Sequence, residues 1–314
     1  MDDNSIKNSF LEDQINELRK KKNAIILAHY YQDGDIQDIA DFVGDSLDLS
    51  KKAAVTKCDV IVFCGVRFMA EVAKILSPEK TVLLPDYNAG CSLEESCPPR
   101  KFKIFKNQNP EHTVVSYINC SAEIKSLSDI IVTSSNAKKI IESLPKNEKI
   151  IFAPDKHLGG YLNKITGREM LLWDGFCIVH EMFSEKEMVK LKIRNEDAEV
   201  LAHPECPEKI LDQADHIGST SSLLKRVSSS DSKKFIIATE PHIIHQMKKM
   251  EPRKIFIPAP SSNGECSCAN CPFMELNTME KLRNCLLNFS PEIKMDKKMI
   301  INAKKPLIKM LELS

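Results

Sequence analysis

The sequence lacks several features that would assign it to a function class at once. Its 44 basic and 44 acidic residues give a formal net charge of zero, which offers no support for nucleic-acid binding. It has no run of about eighteen apolar residues, so we predict no transmembrane helix and no membrane partner. Residues 1–4 are acidic and polar, and no apolar signal region follows them. We therefore expect a cytoplasmic protein whose thiols are mostly reduced.

Cysteine, by contrast, is abundant. The chain contains 11 cysteines, and this odd number argues against a disulfide framework, so metal binding or redox chemistry is the better interpretation. Cys266, Cys268 and Cys271 stand within one short segment, CSCANC. A four-thiolate site needs a fourth ligand, and Cys285 lies fourteen residues further on with no motif around it. The segment can therefore be a local metal site, one side of a distant site, or a redox pair with a third thiol beside it.

An internal repeat is the most informative feature of the sequence. Three apolar, strand-like runs each end in a polar tripeptide, and the tripeptides begin 88 and 86 residues apart. They are His29-Tyr30-Tyr31, Tyr117-Ile118-Asn119 and His203-Pro204-Glu205. A serine or threonine that opens a helical pattern follows 17 residues after the start of each tripeptide. These residues are Ser46, Ser134 and Thr220. The shared interval indicates a triplication of one α/β unit.

This triplication predicts the fold. We expect an α/β protein of three similar αβα sandwich domains with parallel sheets, related by pseudo-threefold symmetry around a central active site. The predicted domains are residues 1–112 with an N-terminal helix, 113–198, and 199–314 with C-terminal helices. Ligands of parallel sheets collect at the carboxyl ends of the strands, where the three tripeptides lie. The serine or threonine of each unit is predicted to cap a helix whose free N–H groups would bind an anion.

The cysteines follow the same repeat. A further apolar run in each third leads into a cysteine-bearing loop, with Cys91 in the first, Cys177 in the second and the CSCANC segment in the third. Threefold symmetry would bring one thiolate from each loop to the axis. Three thiolates can bind three irons of a 4Fe-4S cluster and leave the fourth iron open. Such an iron is a Lewis acid suited to dehydration.

Specific motifs carry a resemblance over nearly the whole chain, from about Ala24 to Asn277. They are AHYYQ (28–32), GDSL (44–47), NAGCS (88–92), YIN (117–119), VTSSNA (132–137), PDKHLG (154–159), WDGFC (173–177), HPEC (203–206) and CPFM (271–274). With these motifs the sequence resembles the quinolinate synthase family. The resemblance implies condensation of iminoaspartate with dihydroxyacetone phosphate to quinolinate, phosphate and water, on the de novo route to NAD. It also implies one oxygen-sensitive 4Fe-4S cluster per chain, and we expect a transient contact with the enzyme that supplies iminoaspartate.

The resemblance also implies roles for individual residues. Cys91, Cys177 and Cys271 match the cluster ligands of the family. The expected substrate-binding residues are His29, Ser46, Tyr117, Asn119, Ser134, His203, Ser219 and Thr220. Tyr31 and Glu205 are the candidates for proton transfer, with the division into acid and base left open. The family often has two residues between successive thiols of its last cysteine triplet. Only one residue separates Cys266 from Cys268 here, so a redox role for these two stays open.

Two other functions are compatible with parts of the sequence. One is a different 4Fe-4S hydro-lyase that acts on another small dicarboxylate. The other is a zinc-binding module that uses the CSCANC thiols alone, against which the repeat argues. The remaining histidines are expected at the surface or behind the site: His112, His180, His216, His242 and His245. Lys156 and His157 follow a predicted strand end, where they would lie near the phosphate or in an exposed loop.

Overall fold

The strands of the chain form three separate parallel sheets. A computed structural model describes residues 3–261 and 269–314. Within these residues each sheet has four strands, and all strand pairings within the sheets are parallel. With the strands of a sheet numbered along the chain, every sheet has the order second, first, third, fourth. The predicted architecture of three similar αβα units is therefore confirmed.

The first unit follows an N-terminal helix and alternates strands with helices. Its elements are α1 (Asp3–Lys21), β1 (Ala24–His29), α2 (Gly34–Ile39), β2 (Phe42–Gly44), α3 (Ser46–Val55), β3 (Val60–Cys64), α4 (Arg67–Leu76) and β4 (Thr81–Leu83). β1 reads AIILAH and β3 reads VIVFC, and every residue of both is buried. Continuous apolar runs of this kind are typical of central parallel strands that helices cover on both faces.

The second unit repeats this alternation after two connecting helices, α5 (Ser92–Glu95) and α6 (Pro99–Gln108). Its elements are β5 (Thr113–Tyr117), α7 (Ala122–Leu127), β6 (Ile130–Val132), α8 (Ala137–Ser143), β7 (Ile150–Ala153), α9 (Lys156–Thr166) and β8 (Leu171–Leu172). Two more connecting helices follow, α10 (Ile178–Glu181) and α11 (Glu185–Arg194).

The third unit has the same plan. Its elements are β9 (Glu199–Ala202), α12 (Glu208–Leu211), β10 (His216–Ile217), α13 (Thr220–Ser229), β11 (Lys234–Ala238), α14 (Ile243–Met250) and β12 (Ile255–Pro258). After it come a 3-10 helix (Met274–Leu276), α15 (Met279–Asn288) and α16 (Lys297–Leu313). The division of the chain at residues 112–113 and 198–199 stays a prediction.

One aspartate per unit fastens the first strand to the segment before the edge strand. Its carboxylate accepts the N–H of the residue 15 positions earlier at 2.8 Å. Its own N–H donates to the carbonyl of that same residue at 2.9 Å. The aspartates are Asp41, Asp129 and Asp215. The triplication therefore extends to individual hydrogen bonds and is not limited to strand order.

The last two helices pack on the first two units. α15 packs against α1 and β3, and α16 packs against α7, β6 and α4. One buried apolar cluster runs from the first unit into the second and includes Leu307 and Met310 of α16. Among the described helices, none combines the length and the hydropathy that a membrane crossing requires.

Candidate active site and metal centre

A cavity lies at the carboxyl ends of the three sheets, and all three units contribute to its wall. Twelve of the thirteen residues predicted for the site line it, and they come from sequence positions far apart. They are His29, Tyr31, Ser46, Cys91, Tyr117, Asn119, Ser134, Cys177, His203, Glu205, Thr220 and Cys271. The first residue of each tripeptide ends or directly follows the first strand of its unit, which is why the three tripeptides meet here.

The three cysteines that line this cavity have the same local structure. Cys91 and Cys177 directly precede α5 and α10, and Cys271 lies three residues before the start of the 3-10 helix. In all three, the amide N–H of the residue four positions later donates to the cysteine carbonyl at 3.0–3.1 Å. The donor and acceptor pairs are Glu95 and Cys91, Glu181 and Cys177, and Glu275 and Cys271. The N-terminus of a helical turn presents free N–H groups and suits a negatively charged thiolate. Each unit therefore provides one cysteine whose thiolate form would be stabilised by nearby amide N–H groups.

Two opposing effects act on these thiols. Burial raises the pKa of Cys91 and Cys177 well above the usual range and that of Cys271 to about 11. Amide N–H groups of the following turn hydrogen-bond each sulfur and partly offset burial. Metal ligation requires thiolates and releases their protons. Three thiols that share one cavity, each beside amide donors, can therefore hold a metal centre.

His180 lies in the cavity wall, where sequence analysis did not place it. The expectation of a position at the surface or behind the site is wrong for this residue, which is 2% exposed and lines the cavity. Ligand atoms of Cys177, His180 and Glu205 lie within 4.8 Å of one another, so this group can also bind a metal ion. Nδ1 of His180 lies 3.1 Å from Oε2 of Glu205, without the alignment of a hydrogen bond.

A chain of polar contacts connects the two candidates for proton transfer. The hydroxyl of Tyr31 lies 2.6 Å from Oγ1 of Thr239, and Nε2 of His180 lies 2.9 Å from the same oxygen. His180 in turn approaches Glu205, whose Oε1 accepts a hydrogen bond from the Tyr117 hydroxyl at 2.5 Å. The chain crosses from the first unit to the third and on to the second. Tyr31 and Glu205 thus lie on one buried polar path, whose contact between His180 and Glu205 is close but not aligned as a hydrogen bond.

Burial and charge act differently on the acidic groups of this path. Burial raises the pKa of Tyr31 and Tyr117 well above the usual range, so both hydroxyls keep their protons. Burial also opposes ionisation of Glu205, but His180, His203 and the Tyr117 hydroxyl outweigh it and lower its pKa to about 2. The site therefore combines protonated phenols with an ionised carboxylate.

His29 and His203 are held by the same backbone contact and have the same ring nitrogen, Nε2, as their donor atom. Nδ1 of each ring accepts the backbone N–H two residues later, from Tyr31 at 3.2 Å and from Glu205 at 3.4 Å. This contact assigns the ring proton to Nε2 in each neutral imidazole. Burial lowers the pKa of His29 to about 4 and that of His203 to about 3, so both rings are neutral at neutral pH. Nε2 is therefore the donor atom of each ring, and that of His203 lies 3.2 Å from Oγ of Ser134.

The helix starts differ by one or more residues from the predicted caps. Asp45 caps α3 and Ser46 is its first residue, while Ser219 caps α13 and Thr220 follows it. α8 begins at Ala137, three residues beyond Ser134. The predicted N-cap role is thus wrong for Ser46, Ser134 and Thr220, because the N-caps are Asp45, Asn136 and Ser219. All three side chains nevertheless line the cavity.

Direct hydrogen bonds join these helix starts across units. The Ser135 hydroxyl donates to Oδ2 of Asp45 at 2.5 Å, and the Ser221 hydroxyl donates to Oδ2 of Asp48 at 3.2 Å. Oδ1 of Asp45 accepts the N–H groups of Leu47 and of Asp48 at 2.9 Å each. The second and third units are thereby both tied to the start of α3.

The remaining predicted residues lie elsewhere. The Ser219 hydroxyl accepts the Ser222 N–H at 3.3 Å and so serves its own helix. Lys156 and His157 begin α9 and pair with acidic side chains, Lys156 with Asp174 and His157 with Glu181. Cys266 and Cys268 lie outside the described residues.

The model of the family described as Quinolinate synthetase A protein matches residues 13–312. The chain belongs to this family. It is 59% identical to the quinolinate synthase of Trichormus variabilis over 96% of this chain and 92% of that protein. The quinolinate synthase of Chloroherpeton thalassium is 58% identical over 97% of this chain and 94% of its own length. That of Rippkaea orientalis is 60% identical over 96% and 92%.

Three buried residues of the site were not predicted from the sequence: His180, Thr239 and Glu240. Thr239 and Glu240 directly follow β11, and Oε1 of Glu240 accepts the Cys271 N–H at 3.2 Å. The end of a third strand in a parallel sheet is as good a place for ligands as the end of the first. His180 follows Cys177 by three residues, a spacing that puts both on one side of a helical turn. Both signals were present in the sequence.

Proposed function

We propose that the chain is a quinolinate synthase that condenses iminoaspartate with dihydroxyacetone phosphate to give quinolinate, phosphate and water. The reaction would serve de novo NAD biosynthesis in the cytoplasm. The observation that carries this proposal is the meeting of three cysteines from three units in one cavity with two neutral histidines, two tyrosines and a carboxylate. Family membership narrows the chemistry of that cavity to quinolinate formation.

Cys91, Cys177 and Cys271 would hold one 4Fe-4S cluster per chain. Their fit to such a group rests on their shared position before a helical turn and on the amide N–H groups at their sulfurs. When bound, the cluster supplies an iron with an open position that acts as a Lewis acid.

The hydrogen-bond donors of the cavity suit two anionic substrates. Nε2 of His29 and of His203 can each donate to a carboxylate or phosphoryl oxygen, and both rings are held by their Nδ1 contacts. The hydroxyls of Ser46, Ser134 and Thr220 add donors from the three helix starts. We assign the phosphate to Ser46 and Ser134, and a substrate carboxylate to the third-unit start, where Ser219 orders the helix and Thr220 reaches the cavity.

Glu205 and Tyr31 divide the proton transfers between them. Glu205 accepts a hydrogen bond from Tyr117 and is therefore oriented as a base. The Tyr31 hydroxyl, held by Thr239, is the corresponding acid. Asn119 lines the same wall, and its buried Oδ1 has no hydrogen-bond partner within the described residues. It can thus accept a hydrogen bond from the amino or hydroxyl group of a substrate.

An anaerobic assay with both substrates tests this proposal. Protein reconstituted with iron and sulfide should form quinolinate and phosphate only when iminoaspartate and dihydroxyacetone phosphate are both supplied. Ser134→Ala should raise the KM for dihydroxyacetone phosphate by about tenfold, because one hydrogen bond to a charged group is lost. Ser126→Ala, a half-buried serine of α7 away from the cavity, is the matched control. Cluster-loaded protein that forms no quinolinate, or that dehydrates another dicarboxylate without the triose phosphate, would overturn the proposal.

A further inference from the structure

Two buried polar side chains lie behind the cavity, and the proposed chemistry does not use them. Gln37 and Lys125 are each the fourth residue of a short helix, α2 in the first unit and α7 in the second. Gln37 is 2% exposed and Lys125 is 0% exposed. A buried ammonium group is costly unless hydrogen bonds or a counter-charge surround it. The partners of Lys125 therefore indicate what it does.

Lys125 holds the loop that follows β5. Its Nζ donates to the carbonyl of Ile118 at 2.9 Å and to that of Cys120. These two carbonyls flank Asn119, which lines the cavity. The ring of Phe68 lies with its centroid 5.2 Å from Nζ and offers its electron-rich face. Each ammonium N–H thus has an acceptor, and two of them fix the backbone on either side of one site residue.

Gln37 makes the equivalent contacts in the first unit. Its Nε2 donates to the carbonyl of Tyr30 at 3.0 Å and to that of Gln32 at 2.7 Å. These carbonyls flank Tyr31 in the way that those of the second unit flank Asn119. A third acceptor, the His242 carbonyl, lies at 3.1 Å. An amide therefore serves here where the second unit uses an ammonium group.

The third unit holds its loop by other means. The fourth residue of α12 is Leu211, which has no side-chain donor. Its loop instead carries Pro204 and Pro207, one before and one shortly after Glu205. Proline fixes φ and removes freedom from the backbone. In each unit the backbone is thus restrained on both sides of the third residue of the tripeptide. A buried donor does this around Tyr31 and Asn119, and prolines do it around Glu205.

We infer that Lys125 is a positioning residue, which holds the loop of Tyr117 and Asn119 by binding the carbonyls on both sides of Asn119. Gln37 has the same task for Tyr31. The inference rests on the proposed function, since that function gives the two loops their role toward substrate. Without the donor two carbonyls lose their partner inside the protein, and the backbone turns to find another. Asn119 then moves away from the cavity.

The chain itself supplies the matched variants. Lys125→Gln copies the first unit and keeps an N–H donor, whereas Lys125→Met keeps the length and removes every donor. We measure amide hydrogen exchange of the segment 117–122 in the full chain, together with kcat/KM for quinolinate formation and the cluster spectrum. Lys125→Met should speed exchange of this segment by at least about tenfold. It should also lower kcat/KM by about ten- to a hundredfold, as expected for a displaced site residue, while the cluster spectrum is unchanged.

Rescue by Lys125→Gln distinguishes positioning from charge. In this variant, amide hydrogen exchange of residues 117–122 and kcat/KM should be close to those of the unaltered chain. Exchange of residues 203–206 should be the same in every variant. Exchange in Lys125→Met that matches the unaltered chain, or Lys125→Gln as impaired as Lys125→Met, would overturn the inference. Should Lys125→Met fail to fold, Gln37→Met tests the same claim on residues 29–33. If the unaltered chain forms no quinolinate, the proposed function fails. Hydrogen exchange of residues 117–122 still shows whether Lys125 holds this loop.

Discussion

The first and third units end their first strand alike and diverge two residues later. His29 and His203 hold equivalent positions, and Nδ1 of each ring accepts the backbone N–H of the residue two positions later. That second residue is Tyr31 in the first unit and Glu205 in the third. One backbone geometry therefore carries a protonated phenol on one side of the cavity and a carboxylate on the other. The fold is triplicated, and the chemistry depends on where the three copies differ.

Among substitutions at these differing positions, Glu205→Gln should have the largest effect on kcat. The substitution keeps the side-chain shape and removes the carboxylate that accepts from Tyr117. We expect kcat to fall by about 10³-fold, because a positioned base contributes about 10²–10⁴-fold. The cluster spectrum should not change. Glu208→Gln, the same substitution on an exposed residue three positions later, is the control. Equal rates for the two variants would remove Glu205 from proton transfer.

Tyr31→Phe should have the next largest effect. It deletes the hydroxyl that contacts Thr239 and leaves the ring in place. The expected loss in kcat is about 10²-fold, from the loss of one proton donor. Tyr30→Phe removes a neighbouring hydroxyl that bonds Ser221 instead, and it should leave kcat nearly unchanged. If both phenylalanine variants lose activity equally, the effect belongs to packing and not to the proton path.

Substitution of the two histidines tests how far the equivalence of the two units extends. His29→Ala and His203→Ala should each lower kcat/KM by about ten- to a hundredfold, the worth of one hydrogen bond to a charged substrate group. Steady-state kinetics with each substrate varied in turn would show which anion each histidine binds. His245→Ala, at a half-buried histidine that pairs with Asp38 outside the cavity, serves as control. A loss of kcat/KM in only one of the two variants would show that the two histidines, despite their equivalent geometry, do not both bind a substrate anion.

The aspartates Asp41, Asp129 and Asp215 should give the smallest effect, alike for Asp129 and Asp215 and larger for Asp41, whose carboxylate also pairs with Arg19 at 2.7 Å. Each alanine variant loses an equivalent hydrogen bond, worth about 1 kcal/mol. The midpoint of thermal unfolding should therefore fall by at least about 1–2 °C in each variant, with kcat unaffected. Asp212→Ala, at an exposed ion pair, should not shift the transition. Unequal shifts for Asp129→Ala and Asp215→Ala would mean that the shared hydrogen bond is not equally strong in these two units.

The sequence predicted most of the fold because its central strands are long apolar runs. It did not predict the edge strands β2, β6 and β10, which have only two or three residues and, unlike the equally short β4 and β8, lead into no cysteine-bearing loop. The helix caps were displaced because Asp45 and Ser219 stand next to the residues chosen and compete for the same backbone N–H groups.

The site was predicted less completely than the fold. Residues that follow a first strand were found, since the repeat marks them three times. Thr239 was missed because it contacts the site through Tyr31 and His180, from a strand end that carries no repeated motif. Lys125 resembles any lysine of a short helix in the sequence, and only its contacts with two loop carbonyls distinguish it.

The central claim is that one cysteine from each unit holds a single cluster. Iron and sulfide content with electron paramagnetic resonance, measured anaerobically on single Cys→Ala variants, tests it most directly. We predict one 4Fe-4S cluster per chain in the unaltered protein, its loss in Cys91→Ala, Cys177→Ala and Cys271→Ala, and its retention in Cys285→Ala, whose thiol is buried between α15 and the first unit. A full cluster in any of the first three variants would contradict the account.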